Sequence, residues 1–256
     1  MRMIAFFVSW GSDDMEFNTF SIIGRCERTG QLGVAVSSAV PSVGSMCIYI
    51  QPGVGAVSTQ SWVNPYLAVA ALTAMLDGAN ATQALGAAVS CDSNSRLRQI
   101  GSIASFGSGA AFTGEDCTGW HGHLVGADYA IQGNMLTGAE TLDAILLAWE
   151  TDSSRDLAER LMIALEAGDK VGGDFRGKQS AALKVMDKEV YAMVDLRVDE
   201  HVEPVAELRR VFEVAKQQLL PFVQGMPRLH GQPVTLSESV MSMLLKPPAS
   251  RSSGAD

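Results

Sequence analysis

The strand-like segments between residues 19 and 60 are apolar at most positions, and this constrains the fold more than any other feature. The segments 19–24 (TFSIIG) and 32–38 (LGVAVSS) flank a turn that contains Gly30. A strand with one face in water alternates apolar and polar residues, whereas a strand covered on both faces is apolar throughout. The pattern therefore predicts strands that are buried between two other layers.

Blocks of strands and helices follow one another along the chain. Strands are predicted over 19–60, 97–135 and 179–199, and helices over 64–78, 80–91, 138–151, 156–168 and 203–222. Asn64 and Asn80 are predicted N-caps, and Gly78 and Gly168 are predicted to follow helix ends. This order differs from the strict alternation of a doubly wound parallel sheet. It predicts two sheets face to face, with helices outside each.

The chain has 256 residues, which suits one domain with tails. We predict an N-terminal extension or propeptide over 1–18, the domain over 19–222, and a linker, short helix and tail over 223–256. The short helix lies within 235–246, with Thr235 and Glu238 in capping-box register. Its apolar residues (VMSMLL) pack either on the same domain or on a second subunit, and we predict a homodimer.

Composition excludes several classes of partner. The net charge of −9 repels nucleic acid and anionic lipid, and no apolar stretch reaches the ~18 residues of a membrane span. The opening MRMIAFFVSW has a short apolar run, and acidic residues follow it in place of a cleavage site, so we do not predict a secretory signal. The four cysteines are scattered, which favours reduced thiols and a cytoplasmic protein.

Three polar groups are candidates for function. Asp174 and Arg176 lie in a glycine-rich loop before a strand, where they either form a site or brace the loop by an ion pair. Asn134, at the end of a strand and before a helix, is either an oxyanion donor or an N-cap or turn residue. His121 and His123 share one face of a strand, but no third ligand has a convincing spacing. We therefore predict neither a metal nor a cofactor.

Seven ordered motifs carry a resemblance to a known family. They are TFSIIGRCERTGQLGVAVSS, VGS, GVGAVSTQSWVNP, FTGEDCTGWHGH, YAIQGNML, GGDFRGKQSAAL and VDLRVDEHVEPVAELRR. Together they resemble the domain of unknown function 1028 family, from about residue 19 to residue 210. The resemblance implies an α+β fold of the N-terminal nucleophile (Ntn) hydrolase type, a four-layer α-β-β-α sandwich of two antiparallel sheets between helical layers.

The resemblance also implies a reaction and a set of site residues. We predict an amide-bond hydrolase that acts on a small-molecule or short-peptide substrate, with Thr19 as nucleophile, Asn134 as oxyanion donor and Ser38 orienting the amine or hydroxyl. The residues predicted to line the substrate site are Gln60, Asp174, Arg176 and Gln179. Arg176 suits a substrate carboxylate, because its planar guanidinium matches that group.

An Ntn hydrolase needs its nucleophile to be the first residue, because the α-amine of that residue serves as the base. A free α-amine has a pKa of roughly 7.7–8, whereas a peptide nitrogen is not basic. Many members of the family resemble M-T-F-S, but here Asn18 precedes Thr19. Either the chain is cut between these residues, or it is a non-catalytic binding or scaffold protein with a blocked N-terminus.

Overall fold

The computed structural model describes residues 19–173, 176–231 and 235–251. The strands are β1 (Thr19–Arg25), β2 (Leu32–Ser38), β3 (Ile48–Gln51), β4 (Gly55–Ser61), β5 (Arg98–Ala104), β6 (Ala110–Thr113), β7 (Trp120–Val125), β8 (Tyr129–Leu136), β9 (Ser180–Met186) and β10 (Val194–Val198). The helices are α1 (Val43–Met46), α2 (Pro65–Leu76), α3 (Ala81–Ser90), α4 (Glu140–Thr151), α5 (Leu157–Lys170), α6 (Pro204–Gln218), α7 (Leu220–Gln224) and α8 (Glu238–Leu244).

The strands form two sheets. The larger has the strand order β10-β9-β2-β1-β8-β7, and the smaller has the order β3-β4-β5-β6. Every neighbouring pair is antiparallel. Helices α4, α5 and α6 pack on the larger sheet and α2 and α3 on the smaller, while β1 and β8 face β4 and β5 across the middle. The predicted α-β-β-α sandwich is confirmed.

Strand β1 shows why its sequence is apolar on both faces. Phe20 and Ile22 belong to the core that the larger sheet forms with α4, α5 and α6. Ile23 packs against Ala56 of the smaller sheet. Because successive side chains of a strand point to opposite faces, Thr19 lies on the same face as Ile23. One face of β1 therefore meets helices, and the other meets the second sheet.

Local signals predicted several helix boundaries, and Gly78 follows the end of α2 with a φ of 98°, as predicted. Asn64 and Asn80 are N-caps, as predicted, and Asn80 forms a full capping box with Gln83. Gly168 does not end α5, because it lies inside the helix and a Cβ there would come within 2.8 Å of the Ile145 side chain. The glycine thus lets α4 and α5 approach each other.

The C-terminal helix α8 packs against α6. Its N-cap is Ser237, which accepts a hydrogen bond from the Val240 amide, so the predicted cap at Thr235 is wrong. Arg251 follows α8 and donates to the carbonyl of Leu244, inside the same C-terminal segment. The division of the chain at residue 222 and the homodimer stay predictions, and the predicted extension or propeptide over 1–18 lies outside the described residues. Within the described ranges, no helix has the length and apolar character that crossing a bilayer requires.

Candidate active site

Thr19 is the first residue of β1, and its neighbours on both sides are predicted site residues. It pairs with Ser38 at the end of β2 and with Asn134 in β8. Residues directly opposite each other in antiparallel strands point to the same face of the sheet. All three side chains therefore face the smaller sheet, where Thr19 is only 3% exposed. The fold brings together three residues that are far apart in sequence.

Hydrogen bonds hold Thr19 at both its side chain and its backbone. Its Oγ1 lies 3.0 Å from Ser38 Oγ, and either hydroxyl can donate. Gln60 Nε2 donates to the Thr19 carbonyl at 2.9 Å. Asn134 Nδ2 donates to Gln99 Oε1 at 3.0 Å and lies 3.5 Å from the Thr19 carbonyl. Among the described residues, Asn134 Oδ1 is buried without a hydrogen-bond partner.

A layer of buried amides between the two sheets supports this end of β1. Gln60 Nε2 also donates to Gln99 Oε1 at 2.8 Å, and Ser21 Oγ donates to Gln60 Oε1 at 2.6 Å. Gln132 Nε2 donates to Ser21 Oγ at 2.8 Å.

The sequence analysis missed Gln99 and Ser21 as parts of the site. Thr19 and Ser21 are polar at alternate positions of an otherwise apolar strand, and this pattern could have revealed Ser21. Gln99 shares its face of β5 with Gly101 and Ile103, so no such pattern marks it.

Beside Thr19 lies a cavity of about 230 Å³. Its described lining comes from the segment between β2 and β3 and from the segment that ends β4. The lining residues are Thr19, Val40, Val43, Met46, Cys47, Ser61, Trp62 and Val63. No sequence pattern pointed to this cavity, because its walls come from separate segments that only the folded chain brings together.

The backbone is strained at three positions around the cavity and Asn134. Ser42, Ser61 and Met135 have φ values of 57°, 62° and 54°, and they are the non-glycine residues with positive φ in the described part of the chain. Ser42 precedes Val43, Ser61 lines the cavity and Met135 follows Asn134. Positive φ is unfavourable for residues with a Cβ and persists only where the surroundings impose it. Such outliers concentrate at functional sites.

A nearly buried ion pair lies next to Trp62, which forms part of the cavity wall. Arg98 Nε donates to Asp92 Oδ2 at 2.8 Å, and Arg98 Nη1 donates to the Trp62 carbonyl at 2.7 Å. Asn64 Nδ2 donates to the same Asp92 oxygen at 2.9 Å. The hydrogen bonds from Arg98 and Asn64 lower the pKa of Asp92 to about 2. The charges satisfy each other and tie the Trp62–Asn64 segment to β5.

The remaining predicted residues lie in different surroundings. The Gln179 amide donates to the Ser38 carbonyl at 2.8 Å, which places the backbone of Gln179 beside the site. Gln60 is fully buried in the amide layer, whereas Arg176 is exposed, and neither belongs to the described lining of the cavity. Asp174 lies outside the described residues. The roles assigned to these residues stay predictions.

His121 and His123 lie on β7, away from Thr19 in the sheet order. His123 Nδ1 is 2.9 Å from Thr113 Oγ1, and burial lowers the pKa of this histidine. In the parts of the chain that the structure describes, no group of three His, Cys, Asp or Glu side chains is placed to hold a metal ion.

Comparisons with known proteins identify relatives of this chain. The model of the Family of unknown function (DUF1028) matches residues 19–208. The crystal structure of protein SPO2555 from Silicibacter pomeroyi, of the same family, superimposes with a TM-score of 0.78 at 26% identity. The match covers 86% of this chain and 96% of that protein. No curated protein matches the chain.

Some more distant structures also match. An Anbu (Gly-1) mutant from Hyphomicrobium sp. strain MC1 is 13% identical, with a TM-score of 0.43, over 83% of this chain and 100% of that one. Anbu (ancestral beta-subunit) from Yersinia bercovieri is 13% identical, with a TM-score of 0.40, over the same shares. A likeness of this size supports no argument about the present chain.

Proposed function

The chain belongs to the Family of unknown function DUF1028, and we propose that it is an amide-bond hydrolase whose nucleophile is the hydroxyl of Thr19. One observation carries the proposal. Thr19 begins a strand of the sandwich and lines a cavity, while its Oγ1 lies 3.0 Å from Ser38 Oγ. A nucleophile must combine a held hydroxyl with access for a substrate. The confirmed sandwich and the strained backbone around the cavity support the same proposal.

The reaction proceeds in two steps. Thr19 Oγ1 attacks the carbonyl carbon of the amide, and its proton passes to the α-amine of the same residue. The C–N bond then breaks, the leaving amine takes that proton, and the acyl group stays on Oγ1 as an ester. A water molecule gives a proton to the α-amine and attacks the ester carbonyl. The ester C–O bond breaks, Oγ1 recovers its proton, and the carboxylic acid leaves.

Neighbouring side chains have supporting roles in this proposal. Ser38 Oγ orients the hydroxyl or the amine of Thr19 through its 3.0 Å hydrogen bond. Asn134 Nδ2 carries two N–H groups: one donates to Gln99 Oε1 at 3.0 Å, and the other makes a longer, weaker contact of 3.5 Å with the Thr19 carbonyl. We assign the second to the oxyanion of the tetrahedral intermediate. Gln60 is a positioning residue, because it holds the carbonyl of Thr19 rather than the substrate.

The experiment compares the chain as produced with a form that begins at Thr19. Intact-mass measurement first establishes where each form starts. Both are assayed against a panel of amides that release a coloured amine. We expect turnover only from protein that begins at Thr19, retained in Thr19→Ser and abolished in Thr19→Ala. Thr73→Ala, on the exposed side of α2, is the matched control and should keep full activity.

Other outcomes separate the enzyme from the scaffold alternative. Protein that begins at Thr19 but hydrolyses no amide contradicts the proposal and favours a binding protein. Activity that survives Thr19→Ala places the nucleophile elsewhere. Because the base must be neutral, turnover should rise with pH through the pKa of the α-amine, roughly 7.7–8 for an unperturbed group.

Asn134→Ala tests the oxyanion role separately. Removing one oxyanion donor typically lowers kcat by roughly 10²–10³, and we expect a loss of that size. Gln99→Leu is the comparison variant, because it removes the acceptor that Asn134 and Gln60 share and keeps the Asn134 amide, so its loss of kcat should be smaller than that of Asn134→Ala. If Asn134 acts only by packing, its replacement should change stability and leave kcat within a few fold of the parent.

A further inference from the structure

The cavity beside Thr19 is apolar. The polar side-chain groups in its described lining are the hydroxyls of Thr19 and Ser61, the thiol of Cys47 and the indole of Trp62, and the other lining side chains are apolar. Cys47 is buried, and burial raises the pKa of its thiol to about 12, so the thiol is neutral. No charged side chain belongs to the described lining. An ionised substrate group would therefore lose its hydration here without gaining a side chain of opposite charge from the described lining.

The charged side chains of Asp92 and Arg98, next to Trp62, are already paired with each other. Arg98 is engaged by Asp92 at 2.8 Å and by the Trp62 carbonyl at 2.7 Å. Its side chain supports Trp62 through the backbone and is not part of the lining. A substrate carboxylate would have to break the Asp92–Arg98 pair to find a cation at this wall. This disfavours anionic substrates in the cavity.

The walls of the cavity are held in place. Ser180 Oγ accepts from the Val43 amide at 3.0 Å and fixes the start of α1 to β9. The Thr59 amide donates to the Cys47 carbonyl at 3.0 Å and fixes the end of α1 to β4. Met46 and Trp62 are the most exposed members of the lining, at 38% and 37%. Because the cavity is preformed, little conformational entropy of the protein is lost when a ligand binds.

The volume restricts the size of the group that fits. About 230 Å³ is below the ~300 Å³ at which pockets for drug-sized ligands begin. At ~30 Å³ for each water, the cavity has room for roughly eight waters. That corresponds to one branched aliphatic chain or one aromatic ring, and not to a longer peptide segment.

We propose that this cavity binds the apolar group attached to the carbonyl that Thr19 attacks, so that the substrates are amides of neutral aliphatic or aromatic acyl groups. The proposal rests on the proposed function for its mechanism and on the cavity for its specificity. It differs from the expectation that Arg176 selects a substrate carboxylate.

The test measures binding by the full chain and needs no turnover. The probes are hexanamide, butanamide and the monoamide of adipic acid, which has the length of hexanamide but ends in a carboxylate. Binding is followed by titration in NMR spectra. We expect hexanamide to bind at least tenfold more tightly than the adipic monoamide. Butanamide should bind roughly fifteenfold more weakly than hexanamide, at about fourfold for each methylene.

Variants locate the bound probe. Met46→Lys should weaken the binding of hexanamide by about tenfold and strengthen the binding of the adipic monoamide, because it adds a cation to the cavity wall. Met46→Leu should preserve the preference. Met241→Lys, at an exposed methionine of α8, is the matched control and should change neither affinity. Val63→Thr has nearly the same shape as the parent and should weaken hexanamide several fold, which provides a second test if Met46→Lys does not fold.

The outcomes distinguish this proposal from the proposed function. Hexanamide binding that responds to Val63→Thr supports the cavity even if no amide is hydrolysed. Equal or tighter binding of the adipic monoamide overturns it, as does the failure of hexanamide to bind at its solubility limit. An active enzyme that turns over adipyl anilides faster than hexanoyl anilides would be consistent with Thr19 as the nucleophile but would refute the preference for apolar acyl groups.

Discussion

Replacing Asp92 by Asn tests whether the ion pair behind Trp62 stabilises the fold through charge. The Asp92 side chain is 8% exposed and that of Arg98 is 15% exposed, so solvent screens the pair only in part. Hydrogen bonds from Arg98 and Asn64 lower the pKa of Asp92 from 3.8 to about 2. At 1.36 kcal/mol for each pKa unit, the shift corresponds to about 2 kcal/mol, and screening reduces this to about 1–2 kcal/mol.

The sign of the pH dependence follows from the direction of this shift. Because the pKa of Asp92 is lower in the folded protein, its contribution is fully present above about pH 4. It is lost as the pH falls toward about 2. We therefore expect Asp92→Asn to lower the free energy of unfolding by about 1–2 kcal/mol at pH 7. The difference between parent and variant should fall to about half by pH 3.

Urea unfolding followed by circular dichroism at pH 7, 5 and 3 measures this difference. Equal slopes with urea must be verified, so that the midpoints report stability. Asp77→Asn, at the exposed end of α2, is the matched control and should not lower stability. A loss in Asp92→Asn that stays constant from pH 7 to pH 3 would show that packing, not charge, explains it. No loss at pH 7 would refute the role of the pair.

Two further expectations concern packing and thiol chemistry. Gly101→Ala should cost about 1–3 kcal/mol in thermal unfolding, because its Cβ would lie 2.0 Å from Gln132 Oε1. Gly86→Ala, where a Cβ meets open space in α3, should be neutral or stabilising, and equal losses in both would contradict the steric reason. At pH 8, iodoacetamide should modify exposed Cys91 well before Cys47, because burial raises the pKa of Cys47 to about 12. Peptide masses over time give the order, and equal rates would contradict the protection of Cys47 by burial.

The layering of the fold could be predicted from local sequence. Strands β1 and β2 are apolar at consecutive positions, and only coverage on both faces buries such strands. The caps at Asn64 and Asn80 could also be predicted from local sequence, because an N-cap side chain acts within the first turn of its own helix. The ordered motifs from residue 19 onward indicated the family.

Contacts between distant elements determine features of the fold and the site that local sequence patterns could not predict. Gly168 matches a helix stop in sequence, yet the packing of α4 against α5 places it inside a helix. The amides of Gln60 and Gln99 lie on neighbouring strands of one sheet, but their hydrogen bonds reach Thr19 and Asn134 on the other.

The apolar runs of β1 and β2 indicate coverage on both faces, and capping residues mark where α2 and α3 start, because each of these signals lies within a short stretch of sequence. The apolar cavity, in contrast, depends on contacts between distant segments. Its walls at Val43 and Trp62 meet Thr19 only because the two sheets stack and α1 is tied to β9 and β4. The distance between such segments is set by how the sheets close on each other, and no periodicity within a segment encodes that distance.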